Sequence, residues 1–391
     1  MGLVLAALLP LAAQEPPLAP SPAPGDDGLL EVSAPFLTEE GVPVEGRLTW
    51  RADLAPETST VGVLLLHGSN DGARLRKDVD GTIPPWQTSD GQEAKRFRDV
   101  ARALAREGFL VYRTAKRGYA LDPAQDRAEV VASITLERTL SDARRALARL
   151  RADPRVDPRR VVLLGHSEGT VVAPLLARED QGVAGLILTG TVVDMNRVAR
   201  FQAVEHPVAD AFAALDEDRD GRIDIPEAIL ARRRGLPIPA CVSSRNDRDG
   251  DGAVSRAEAE LALLPGYRAF VRQAEDPRDY WHGHLRAPRN LDLLPTLAHL
   301  PVLVVTGELD WRTPCAHTRE LQEAMARAGH PEHTFVFCPG LGHGFSPPRP
   351  AEPGQHAPQE TAGPPHPEVL AGIARLAAER WLPPRSAVEA R

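Results

Sequence analysis

A short apolar run, Val161-Val162-Leu163-Leu164, leads into Gly165-His166-Ser167-Glu168-Gly169, the spacing G-x-S-x-G, and then into a helix-like stretch. A serine in that setting can act as a nucleophile. The two glycines let a strand turn sharply into a helix without Cβ clashes, which holds the Ser167 hydroxyl exposed at the turn. The backbone N–H of Glu168, in the first helical turn, then faces the place where an oxyanion forms. Such a serine also needs a base and an acid to orient that base, and behind a turn of this kind the acid comes first in the chain and the histidine second. Asp310, in Gly307-Glu308-Leu309-Asp310, follows the apolar run Pro301–Thr306. His343, in Gly340-Leu341-Gly342-His343-Gly344-Phe345, follows the run His333–Phe337. Glu308 is the alternative acid, while His330 and His333 lie at the wrong end of that last run to serve as base. His67-Gly68-Ser69 follows a further apolar run and offers the Ser69 N–H as a second oxyanion donor. His67 itself reads as a packed, hydrogen-bonded ring.

A second set of residues points to metal chemistry. Asp216, Asp218, Asp220, Arg222, Asp224 and Glu227 occupy the ligand positions of the pattern D-x-D-x-D-G-x5-E, with Gly221 at the turn. Asp247, Asp249, Asp251, Ala253, Ser255 and Glu258 repeat it, with Gly252 at the turn. A hard cation such as Ca2+ takes six to eight oxygens, so carboxylates alternate along the loop, Arg222 and Ala253 offer backbone carbonyls, and Glu227 and Glu258 close the shell bidentately. The first loop sets six acids against two arginines and the second four against two, so the pair supplies most of the chain's net charge of −8. Without a cation these carboxylates repel one another. Two calcium ions are the expected cofactors, and Ile223 and Val254 are expected to join the loops as a short two-stranded ribbon. Val208–Leu215 suits a helix entering the first loop. Arg256–Arg272 suits one leaving the second, broken at Pro265-Gly266. Gly235-Leu236-Pro237-Ile238-Pro239 leaves the second loop without a proper entering helix, which favours a stabilising role for the metal over a sensing one.

These groups need a frame. Val61–Leu66, Phe109–Tyr112, Val161–Leu164, Val183–Thr189, Pro301–Thr306 and His333–Phe337 are continuous apolar runs, the mark of strands buried on both faces of a parallel sheet. Leu29–Thr38 and Val44–Asp53 carry charges at intervals, as an antiparallel edge does. Amphipathic helical patterns lie between the runs at Glu93–Glu107, Leu136–Ala152, Thr318–Ala328 and Pro367–Trp381. Strands alternating with helices predict a doubly wound α/β sheet. Residues 193–289 are far too long for one connection and read as an inserted subdomain carrying both acidic loops.

The chain has 391 residues, 42% of them hydrophobic and 26% charged, which is the balance of a globular protein with a sizeable core. No basic run or aromatic-basic interleaving marks a nucleic-acid partner. Residues 1–13 read as a signal peptide, apolar and ending in small residues, too short to span a bilayer comfortably and lacking the usual basic start. Residues 14–28 form a Pro/Ala-rich tether, and secretion or a periplasmic location is expected. No cysteine lies near this segment, which leaves a lipid anchor unsupported. Cys241, Cys315 and Cys338 are odd in number; Cys315 and Cys338 either pair in an oxidising compartment or remain separate small buried residues.

With HGS at residues 67–69, KRG at 116–118 and GHSEG at 165–169, the chain resembles serine hydrolases of the α/β-hydrolase fold, in particular the secreted bacterial esterase and serine-aminopeptidase-like branch. The resemblance covers about residues 29–192 and 290–384, with a tail at 385–391. It implies an eight-stranded, mostly parallel sheet, a lid formed by residues 193–289, and acyl transfer in which Ser167 attacks, His343 shuttles the proton, Asp310 holds the imidazole, and the N–H groups of Ser69 and Glu168 bind the oxyanion. The substrate it implies is a small ester or a short peptide. In the lid, Tyr280-Trp281-His282-Gly283-His284 either lines the acyl site or forms lid core. Two departures stand out: Thr170 replaces a third glycine, and calcium loops replace a plain helical cap.

Overall fold

The computed structural model describes residues 27–55, 58–69, 77–85, 88, 92–347 and 363–384. The expected signal peptide, almost all of the tether and the tail at 385–391 lie outside them. Eight strands form one sheet in the spatial order Leu29–Ser33, Gly46–Arg51, Leu110–Thr114, Thr60–Leu66, Val156–His166, Val183–Thr189, Val302–Gly307, His333–Cys338. The first two are antiparallel to their neighbours and the rest pair in parallel. The central strands are apolar throughout because both faces are covered. Val63, Leu65, Val162, Leu164, Ile187 and Leu303 point into one layer, packed with Phe97, Leu104 and Trp381. Leu64, Leu66, Val161, Leu163, Leu186 and Val304 point into the other, packed with Leu147, Leu150, Val172 and Leu176.

The direction in which strands are added reverses between Thr60–Leu66 and its neighbour Val156–His166. In open α/β sheets the crevice outside the carboxyl ends at such a reversal is where ligands bind. Ser69 and Ser167 come from the carboxyl ends of these two strands.

Between Thr189 and Val302 the chain builds a helical insertion. Met195–Arg200, a π-helical turn Phe201–Glu205 and His206–Leu215 run on without interruption into Asp216. Arg222–Asp224 and Ala253–Ser255 then pair antiparallel, with Ile223 opposite Val254. Helices Ile225–Arg233 and Arg256–Gln273 leave the two loops, and Val208, Phe212, Leu215, Ile223, Val254 and Ala259 form a separate apolar cluster. Asp247 is approached by two short 3₁₀ turns, Ala240–Val242 and Ser244–Asn246, so the second loop has no regular entering helix.

Several expectations change in detail. The helix leaving the second loop is continuous from Arg256 to Gln273. Pro265 is exposed, and so is Leu261, whose carbonyl loses its partner to the missing N–H, so water can serve that carbonyl and the turn is kept. The helix expected from Glu93 starts at Arg96, because Ala94–Lys95 pair with Thr82–Ile83. The first two strands each divide, giving Phe36–Leu37 paired with Pro43–Val44 beside the main sheet. All three cysteines are free. Among the described residues no helix is long and apolar enough to cross a membrane.

Candidate functional site

Ser167 has φ +57°, a left-handed conformation that non-glycine residues avoid at a cost of about 1–2 kcal/mol. The surroundings hold it there. Its N–H donates to the Thr189 carbonyl at 2.9 Å, and Thr170 N–H donates back to the Ser167 carbonyl at 2.9 Å. A Cβ at Gly165 would stand 2.2 Å from the Gly169 carbonyl oxygen, and one at Gly169 would stand 2.2 Å from that of Leu66, so only glycine allows strand and helix to meet this closely. Thr170 contributes a hydroxyl that donates to the Ser167 carbonyl at 2.6 Å and accepts from Val192 N–H at 2.9 Å. The turn is therefore tied to the start of the insertion.

Asp310 and His343 meet at the carboxyl ends of the last two strands. His343 Nδ1 lies 2.8 Å from Asp310 Oδ2, and both residues are buried. Asp310 is fixed in turn by Thr313, whose N–H donates to Oδ1 at 2.8 Å and whose hydroxyl donates to Oδ2 at 2.7 Å. Thr313 carried no sequence signal beyond standing three residues after an acid. The imidazole packs 4.9 Å from the ring of His166, centroid to centroid. Burial, and next the proximity of His343, keep His166 well below the ordinary histidine range, so its ring is neutral. Glu308 is exposed and pairs with Arg319 at 3.1 Å, away from the imidazole. His330 bonds the Leu297 carbonyl, and His333 the His330 carbonyl. His67 is buried against Phe97, with ring centroids 4.1 Å apart, and is held neutral by burial, then by Lys77 and Lys116.

A cavity of about 280 Å³ opens over the serine. Ser69, Ser167 and Glu168 form its floor; Met195, Val198, Phe270 and Trp281 of the insertion form apolar walls, and Arg312 and Thr313 one polar side. Gly68 runs beside Ser167, since a Cβ there would lie 3.0 Å from Ser167 Cβ, so the Ser69 segment borders the nucleophile. The aromatic cluster of the insertion divides its work. Trp281 lines the cavity, His282 turns away to the Ala274 carbonyl, and Tyr280 and His284 reach the side chain of Glu168. That side chain is fully buried, with the Tyr280 hydroxyl and His284 Nε2 each 2.6 Å away and Lys116 Nζ as a third partner. Burial pushes its carboxyl up, but Lys116 and His284 outweigh this and hold it far below the usual carboxylate range.

The acidic loops converge in part. Carboxylate oxygens of Asp216, Asp218 and Asp220 come within 4.8 Å of one another, as do those of Asp247, Asp249 and Glu258. Asp216 Oδ1 is buried without a hydrogen-bond partner, as suits an oxygen awaiting a cation. Other ligand positions serve the helix starts. The Asp224 carboxylate accepts from Glu227 N–H while Glu227 accepts from Asp224 N–H, and Ser255 and Glu258 do the same. Positions nine and twelve of each loop are thus also a capping box. Asp251 turns outward to pair with the Arg222 side chain across the ribbon, so it does not join the second set. Arg222 and Ala253 sit in the paired strands, opposite Ser255 and Asp224.

A family model for serine aminopeptidases, S33 (Hydrolase_4), matches residues 91–346. Esterase EstD of Thermotoga maritima is 25% identical over 282 residues, which is 70% of this chain and 60% of that protein. The chain therefore spans about 60% of the length of this curated relative. Among solved structures, the alpha/beta hydrolase GrgF of Penicillium sp. sh18 aligns with TM-score 0.44 at 17% identity, covering 80% of this chain and 91% of that one. A thermophilic esterase of Thermogutta terrifontis aligns with TM-score 0.42 at 21% identity, covering 89% and 99%. The eight-stranded, mostly parallel sheet and the family match together give an α/β-hydrolase fold, and the chain belongs to the serine aminopeptidase S33 family of hydrolases.

Proposed function

We propose that the protein is a secreted serine hydrolase that cleaves carboxylic esters through an acyl-enzyme, with two calcium ions in the insertion. The observation that carries the catalytic part is the buried Asp310–His343 pair at the same sheet end as a strained, cavity-facing Ser167. Ser167 Oγ attacks the carbonyl carbon and passes its proton to His343, while the C=O electron pair moves onto oxygen, where the N–H groups of Ser69 and Glu168 receive it. Collapse expels the alcohol, which takes the proton from His343. Water then adds to the acyl group by the same route and frees Ser167. Asp310 holds Nδ1–H so that Nε2 can accept. Replacing Ser167 by alanine should abolish hydrolysis of a short p-nitrophenyl ester; undiminished turnover would sink the assignment.

An ester is favoured over an aminopeptide substrate by the cavity's charges. Glu168 is the one carboxylate among the described residues lining it, and three donors already hold it, so none of these described residues offers a free anion to an α-ammonium group. Apolar walls and a small volume suit a short or medium acyl chain.

Calcium would be held by Asp216, Asp218, Asp220, the Arg222 carbonyl, Asp224 and Glu227, and by Asp247, Asp249, Asp251, the Ala253 carbonyl, Ser255 and Glu258. The ions would cancel the repulsion among these acids. Two of the three insertion helices that reach the cavity walls adjoin a loop: Met195–Leu215 runs into Asp216, and Arg256–Gln273, which carries Phe270, starts after Ser255. Calcium titration followed by calorimetry tests this reading, and an absence of binding refutes it.

A further inference from the structure

His284 is fully buried in the short helix Trp281–Arg286 of the insertion. Its Nδ1 lies 2.8 Å from the Tyr280 carbonyl oxygen, and its Nε2 lies 2.6 Å from Glu168 Oε1. Carbonyl and carboxylate oxygens only accept, so both ring nitrogens must donate. A neutral imidazole has a single N–H and would aim a lone pair at one of these oxygens. The Tyr280 ring stacks on the imidazole with centroids 4.6 Å apart and planes at 29°, a face that favours a cation. Oε2 of the same carboxylate receives Lys116 Nζ and the Tyr280 hydroxyl.

We propose that Lys116 and His284 are two permanent buried cations around one carboxylate, and that their excess positive charge, set behind the Glu168 N–H, stabilises the oxyanion formed on attack by Ser167. This rests on the reading of Ser167 as the nucleophile. Before attack the cluster carries one uncompensated positive charge. When the carbonyl electron pair moves onto oxygen, a negative charge appears next to it, while the proton from Ser167 turns the Asp310–His343 pair neutral overall. The buried field is thus matched only in the tetrahedral intermediate, the condition for raising kcat rather than ground-state binding. Burial keeps water from screening it.

The neighbouring charges leave the sign unchanged. Lys77, also buried, adds to burial and to Lys116 in keeping His67 neutral, so it brings further positive charge and no anion. Glu137 reaches Gly283 on the next helix but is exposed to solvent. Lys116, Tyr280 and His284 are positioning residues, since they act through Glu168 and do not touch the substrate. They join two distant parts of the chain, the end of the sheet strand Leu110–Thr114 and the insertion, to the residue whose N–H faces the reacting oxygen.

The test has two arms. In protein labelled with 15N-histidine, the His284 ring, assigned by its loss in His284→Gln and its shift in Tyr280→Phe, should carry protons on both nitrogens under the conditions of the activity assay. A singly protonated ring overturns the proposal. In the second arm, His284→Gln keeps a donor for Glu168 but removes the charge. Its kcat on a short p-nitrophenyl ester should fall about tenfold with KM within about twofold, less than the 10²–10³ of losing an oxyanion donor outright. Affinity for a trifluoromethyl ketone, which captures the serine as an oxyanion, should fall by the same factor, and affinity for the unreactive methyl ketone should hold. Unchanged kcat, or an equal loss of methyl-ketone affinity, refutes the charge effect. Fluorophosphonate labelling of wild-type Ser167 separates the two claims: without labelling the nucleophile reading fails, whereas labelling with a neutral His284 defeats this proposal alone.

Discussion

Replacing Asp310 by asparagine tests the orientation of the base without emptying its site. Thr313 N–H donates to Oδ1 at 2.8 Å, and a backbone donor cannot turn away. The asparagine carbonyl oxygen must therefore stay on that N–H, which puts the amide NH2 where Oδ2 stood, facing the Thr313 hydroxyl and His343 Nδ1. The hydroxyl can rotate and accept. The imidazole cannot donate to an NH2, so its proton moves to Nε2, the nitrogen that has to receive the Ser167 proton. A wrong tautomer of this kind lowers kcat about 10⁴-fold, or about 5.5 kcal/mol of transition-state stabilisation at 1.36 kcal/mol per tenfold. Because every hydrogen bond is replaced in kind, the folded state should lose no more than about 1–2 kcal/mol. Steady-state turnover of p-nitrophenyl acetate and a thermal melt measure both quantities. Glu308→Gln is the companion variant: exposed and paired only with Arg319 among the contacts described, it should stay within about twofold of wild type, since exposed ion pairs contribute little. A folded Asp310→Asn protein within tenfold of wild-type activity, or a comparable loss in Glu308→Gln, would refute the reasoning.

Other expectations are as direct. Excess EGTA should lower the melting temperature and turnover together, because a ligand at 100 times its Kd contributes about 2.7 kcal/mol per site; unchanged values of both exclude structural calcium. Gly169→Ala should fold poorly or lose activity, since its Cβ would meet the Leu66 carbonyl oxygen at 2.2 Å; a melt and activity at wild-type values would show that the turn is not as tight as described. Trp281→Ala, which enlarges the cavity, should shift the preference among p-nitrophenyl esters toward longer acyl chains, and an unchanged chain-length profile places the acyl group elsewhere. Lys116→Met should destabilise the protein by about 1–3 kcal/mol at neutral pH, because it removes a charged donor from the buried Oε2 of Glu168 and leaves the Tyr280 hydroxyl there. The Glu168 carboxyl is depressed in the fold, so its stabilisation is present above the ordinary glutamate range and is lost as pH falls through the folded value. The gap between wild type and variant should then narrow on acidification, and a gap independent of pH in urea melts would contradict the ion pair.

Much of the frame was legible because it depends on local pattern. Val61–Leu66 and Val161–Leu164 are apolar at every position, which only a two-sided sheet requires, and strand exits at Ser69, Ser167, Asp310 and His343 bring those residues to one end. Ile223 and Val254 were expected to face each other because the loop spacing fixes their register, and they do. The break at Pro265 was a wrong expectation, since propensity says nothing about whether the freed carbonyl faces water. The largest omission was the role of the Glu168 side chain. Its partners Lys116, Tyr280 and His284 lie 52, 112 and 116 positions away, and no periodicity relates them. Lys116 stood in a noted motif and Tyr280 and His284 in a noted cluster, so the residues were visible while their meeting point was not. Thr313 escaped for the same reason, its value arising only once Asp310 and His343 are in contact.

The central claim is that Ser167 is a nucleophile activated by His343 and Asp310. Intact-mass measurement of the protein after treatment with a fluorophosphonate, followed by peptide mapping, tests it most directly. A single adduct on Ser167, absent from Ser167→Ala and formed far more slowly in His343→Ala, is the predicted result. No adduct, an adduct on another residue, or equal labelling without His343 would contradict the account.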